Sequence, residues 1–102
     1  MDVKVEIYRN KFVVSADGTT KTLFPESPFS TSRLLVGDFI QAEACLNKGL
    51  KEMGLKSFLR FFRPNLHMYP MEMSEGGLCG VEQRTLLELG YSVRAKNVEI
   101  HV

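Results

Sequence analysis

Apolar and polar residues alternate with a period of two from Val3 to Ile7, where Val3, Val5 and Ile7 are interleaved with Lys4 and Glu6. That period predicts a strand with one buried face. Phe12-Val13-Val14 predicts a second strand after a turn at Arg9-Asn10, and Asp17-Gly18 carries a hairpin signal leading into a third strand from Thr20 to Phe24. Pro25 to Ser32 has loop composition. The period then changes: Phe39, Ala42, Leu46, Gly49, Leu50 and Met53 recur at helical spacing. Asp38 and Gln41 are spaced as a capping box, and Gly54 is placed to end this helix in a left-handed cap. Leu55 to Phe62 reads either as a continuation after a kink or as an irregular connection, with Pro64 forbidding helix beyond it.

Leu66 to Met71 is apolar or semi-polar at nearly every position, as expected of a central parallel strand covered on both faces. A glycine-rich turn follows, and Leu78, Val81, Thr85, Leu86 and Leu89 share one face of a second helix, which Gly90 is expected to stop. Val98, Ile100 and Val102 alternate as a last strand. Three antiparallel strands, helix, strand, helix, strand, joined by right-handed crossovers, predict one mixed five-stranded sheet with two helices. This is an α/β arrangement at the α+β boundary, of the βββαβαβ topology shared by ribonuclease H-like domains and the half-domain of actin-like ATPases.

Length and charge narrow the classes. A chain of 102 residues with 44% hydrophobic and 25% charged residues makes one domain, 1–102. A net charge of +1 leaves no overall electrostatic footprint for nucleic acid, which is not expected as a partner. The alternating N-terminus is unlike a secretory signal, and no apolar run approaches the ~20 residues needed to span a bilayer, so a cytoplasmic protein is expected. Cys45 and Cys79 have no second pair with which to build a zinc site and read as reduced, structural thiols.

Several short motifs occur together. Val36-Gly37-Asp38-Phe39 is followed by Ala42-Glu43-Ala44-Cys45-Leu46, and Phe61-Phe62-Arg63-Pro64 leads into a strand. Gly80-Val81-Glu82-Gln83-Arg84-Thr85 opens a helix, and Ala95-Lys96-Asn97-Val98-Glu99-Ile100 closes the pattern. From about Leu35 to Val102 the chain resembles the bacterial actins that determine rod shape, the MreB family. That resemblance implies one actin-like half. The family's phosphate hairpins contain glycine and begin with aspartate, whereas the corresponding Glu6 to Lys11 hairpin has no glycine and a glutamate in that place. The second hairpin would lie beyond Val102. ATP hydrolysis and a nucleotide cofactor are therefore not expected. The expected function is a non-catalytic domain working through protein contacts, as a homo-oligomer or a partner of the bacterial cytoskeleton.

Three constellations carry candidate chemistry. Glu6, Glu43 and Glu72 fall on the elements that hold two metal ions in ribonuclease H-like nucleases, against the alternative of carboxylates that are solvated or paired with Lys4 and Arg33. Gly76, Gly77 and Gly80, before a helix, offer backbone donors to an anion, although Glu75 would repel a phosphate and a structural turn is the simpler reading. Cys79 at the same helix start has no assignable histidine with which to act as a nucleophile. Phe58, Arg60, Phe61, Phe62 and Arg63 mix aromatic and basic side chains, which suits core packing, a protein docking surface, peripheral membrane contact or stacking on single-stranded nucleic acid. His67 and His101 lie on different strands without ligand-like spacing, and no metal is assigned to them.

Overall fold

The computed structural model describes residues 2–55, 63–72 and 80–101. Its elements are β1 (Asp2–Tyr8), β2 (Lys11–Ala16), β3 (Thr19–Leu23), α1 (Phe39–Glu52), β4 (Asn65–Pro70), α2 (Gly80–Ser92) and β5 (Asn97–Ile100). The five strands form one sheet in the order β3-β2-β1-β4-β5. β1 pairs antiparallel with β2, and β2 with β3, while β1 with β4 and β4 with β5 run parallel. The expected mixed five-stranded sheet with two helices is therefore observed.

Local chemistry accounts for the joints. Asp17 at φ 49° and Gly18 at φ 77° place both central residues of the β2–β3 turn in the left-handed region, as a two-residue hairpin whose twist matches its strands requires. Asp38 caps α1, its side chain accepting from the Gln41 backbone N–H at 3.2 Å. Gly54 leaves the helix at φ 71°. Ala42, Cys45, Leu46, Gly49 and Leu50 form the buried stripe of α1 and join Val3, Val5, Ile7, Phe12, Val14, Leu66, Met68, Leu86 and Leu89 in one core.

Two expectations are corrected. β4 is an interior parallel strand between β1 and β5, but it is buried on one face alone: Leu66, Met68 and Pro70 point into the core, while Asn65, His67 and Tyr69 are half-exposed on the other side. Its continuous run of semi-polar residues reflects a face furnished with rings, not a second covering layer. Gly90 does not stop α2, which runs on to Ser92. A methyl group there would lie 2.4 Å from Val98 Cγ2, so this glycine lets the helix approach the stiff, β-branched Val98 of β5. The left-handed exit falls instead to Arg94 at φ 69°.

Candidate metal site on the open face of the sheet

Both helices belong to the core that includes Val3, Val5 and Ile7, so the alternate positions of the same strands form the opposite, open face. Strand register arranges that face in rows. Asp2, Asn65 and Asn97 stand side by side, and the next row holds Lys4, His67 and Glu99. His101 follows β5 directly and is held there by its backbone N–H, which donates to the Met68 carbonyl at 2.8 Å.

This register brings together two imidazoles and a carboxylate. His67 Nδ1 lies 3.0 Å from Glu99 Oε2 and 3.1 Å from His101 Nε2, and the last two atoms are 3.6 Å apart. A triangle with these sides has a circumradius of about 1.9 Å, just under the 2.0–2.1 Å bonds that zinc makes to such atoms. One ion slightly out of the plane would therefore meet all three. The donor set of two histidine nitrogens and a carboxylate suits zinc and its first-row neighbours better than calcium or magnesium, which prefer oxygen. Three protein ligands leave the fourth tetrahedral position open, and side-chain exposures of 25% for His67, 39% for His101 and 63% for Glu99 put that position within reach of solvent.

Each imidazole has its own orienting partner. His67 Nε2 is 3.1 Å from Asp2 Oδ1, and the bond to this imidazole, helped by the Asn65 amide, holds the Asp2 carboxyl below the usual carboxylate range. The His101 ring is stacked on Tyr69 with centroids 4.5 Å apart and planes 8° from parallel, and the Lys4 ammonium lies 5.1 Å from the Tyr69 centroid on the same face. Both ring nitrogens of His67 face a carboxylate, Nε2 that of Asp2 and Nδ1 that of Glu99. Two acceptors 3.0 Å apart repel unless a positive charge, a proton or a metal ion, lies between them.

The other candidates are distributed differently. Glu6 is on the open face, 3.9 Å from Lys4 Nζ, whereas Glu43 is carried by α1 on the covered side. Glu72 Oε2 accepts from the Arg9 backbone N–H at 2.6 Å, near the β1–β2 turn. These three glutamates are not brought together, because the parity that buries Val5 and Ile7 turns Glu6 away from α1. The Arg63 guanidinium donates to the Arg94 and Ala95 carbonyls at 3.3 and 3.2 Å, tying the start of β4 to the α2–β5 connection. Phe58, Arg60, Phe61, Phe62, Gly76, Gly77 and Cys79 lie outside the described residues. Gly80 opens α2, and among the described residues no side chain lies within 4 Å of where a Cβ would stand. Cys45 is buried in α1, and burial pushes its thiol up to about 11, away from reactivity.

The fold and this face together define a small α+β protein with a surface cluster of two histidines and a glutamate. The uncharacterised protein YjaA of Escherichia coli (strain K12) is 32% identical to it over 89 residues, covering 83% of this chain and 70% of YjaA. The chain belongs to the YjaA family. No protein-family model matches it, and no solved structure matches it significantly. Among the described residues no helix is long and apolar enough to cross a membrane.

Proposed function

We propose that this protein binds one divalent first-row transition metal ion, of the zinc class, through His67, Glu99 and His101. The observation that carries the reading is the triangle of three ligand atoms with sides of 3.0, 3.1 and 3.6 Å on one sheet face. Neighbouring ligands of a tetrahedral zinc ion are separated by about 3.3 Å, so little rearrangement is needed. The role is binding rather than turnover. Equilibrium dialysis of metal-free protein, with any affinity tag removed, should give one Zn²⁺ or Co²⁺ per chain. His67→Ala should weaken binding by more than about 100-fold, since even an outer-shell partner is worth about 10–100-fold. Wild-type protein that takes up no metal, or a His67→Ala variant that binds as tightly, would overturn the proposal.

A second reading concerns the scaffold. The strand order β3-β2-β1-β4-β5, with β1, β4 and β5 mutually parallel, supports a ribonuclease H-like or actin-half fold, and with it a function through protein contacts. One feature favours such contacts. A groove of about 240 Å³ runs between the edge strand β3 and α1, and Phe24 on its wall is 72% exposed. Self-association through this edge is checked by sedimentation velocity over a wide concentration range. A concentration-dependent dimer is the expected result, and a monomer throughout would sink the homo-oligomer.

A further inference from the structure

We infer that Asp2 is the positioning residue of the metal site: its carboxylate fixes the proton of His67 on Nε2 and aims Nδ1 at the ion. The inference rests on the metal-binding reading above and adds to it the reason why this imidazole ligates through Nδ1. A neutral histidine carries one ring proton, and the nitrogen that bears it is lost as a ligand. Asp2 Oδ1 is 3.1 Å from Nε2, on the side of the ring away from Glu99 and His101. Glu99 Oε2 faces Nδ1 in the same way, so with the ion on Nδ1 the one remaining ring proton is held on Nε2, where the Asp2 carboxylate can accept it and cannot donate.

The carboxylate is itself held. Asn65 Nδ2 donates to Asp2 Oδ1 at 3.4 Å, and Asn97 Nδ2 donates to Asn65 Oδ1 at 3.0 Å. Asp2, Asn65 and Asn97 occupy one row of the register across β1, β4 and β5. Hydrogen bonds thus run Asn97 to Asn65 to Asp2, and the last acceptor is the partner of the ligating imidazole. The row has a consequence for placement. The strands that bear the three ligands, β4 and β5, are tied by the same ladder to the strand that bears the positioning group. A carboxylate behind a metal-bound histidine also raises the basicity of the ring and keeps it from rotating.

Asp2→Asn is the informative change because it conserves shape. The amide presents either its oxygen or its NH₂ to Nε2, and the NH₂ would draw the ring proton onto Nδ1, the ligating atom. Zn²⁺ affinity should fall about 10–100-fold in Asp2→Asn, and Asp2→Glu should recover much of the loss. Long-range ¹H–¹⁵N correlation spectra of the zinc-bound protein should show His67 metallated at Nδ1 and protonated at Nε2 in wild type, and a share of rings metallated at Nε2 in Asp2→Asn, a change that a merely structural residue would not cause. Titration with Zn²⁺ should then shift His67 Nδ1. Wild-type protein that binds Zn²⁺ through Nε2 of His67, or Asp2→Asn that binds as tightly with its tautomer unchanged, would overturn the positioning role while leaving the metal site standing. Wild-type protein that binds no Zn²⁺ would instead overturn the reading beneath it.

Discussion

Replacing Phe12 by alanine should lower the unfolding free energy by about 3–5 kcal/mol, the usual cost of deleting a fully buried phenylalanine ring. Phe12 points inward from β2 with no exposed surface, and its ring stacks on Phe29 at 4.7 Å with planes 17° apart. Phe29 belongs to the loop between β3 and α1, and its carbonyl accepts from the backbone N–H groups of Gly37 and Asp38 at 2.8 Å each. The ring pair therefore anchors the segment that delivers the Asp38 cap to α1. The sheet supports one side of the resulting cavity, so collapse around it is limited. A domain of this size loses roughly 4–8 °C of Tm per kcal/mol, which predicts a fall of roughly 12–40 °C in calorimetry. Urea titration should show a lower midpoint with an unchanged slope. A loss below about 1 kcal/mol would mean that the loop repacks over β2 and that the ring pair does not hold it.

Fold and site were unequally legible in the sequence. Val3, Val5 and Ile7 declared the inward face of β1, and Asp38 with Gly54 bounded α1, because alternation and capping act over a few residues and leave local signatures. Gly90 misled because glycine serves two purposes, a left-handed exit or a close approach, and only the position of Val98 decides between them. Leu66 to Met71 misled because histidine and tyrosine on an open face look semi-polar, as a doubly covered strand does. The metal site was invisible for a related reason. His67 and His101 are far apart in the chain, and what joins them is the pairing of His67 with Glu99 in the β4–β5 register, which a sequence does not print. A signal was nevertheless present: the parity that buries Val98 and half-buries Ile100 sends Glu99 and His101 to one face, two residues apart. The same parity separates Glu6 from Glu43. Placing Glu6, Glu43 and Glu72 on the right elements is insufficient when parity puts Glu6 on the side of the sheet away from α1.

Zinc should stabilise the folded chain, and His101→Ala should remove that increment while changing the metal-free protein little. Free ion at 100 times its dissociation constant adds about 2.7 kcal/mol to a state that alone binds it, equivalent to a rise in Tm of roughly 10–20 °C for a domain of this size. Its site joins His67 of β4 to Glu99 and His101 at the far end of β5. β5 is a short edge strand, paired on one side with β4. Without the ion, the end of β5 depends on backbone bonds such as that from His101 N–H to the Met68 carbonyl and on the contact of Val98 with α2. With it, a second tie holds the strand from the open face. Hydrogen exchange should therefore slow on zinc binding at Ile100 and His101 more than at β2, whose amides lie two strands from the ion. Because His101 is exposed and lies just outside the strand, its replacement should cost the metal-free protein no more than its stack on Tyr69 contributes, about 0.5–1.5 kcal/mol. An equal zinc-dependent rise in Tm in wild type and His101→Ala would mean that the ion sits elsewhere, whereas protection confined to β4 and β5 would tie its binding energy to the register that assembles the site.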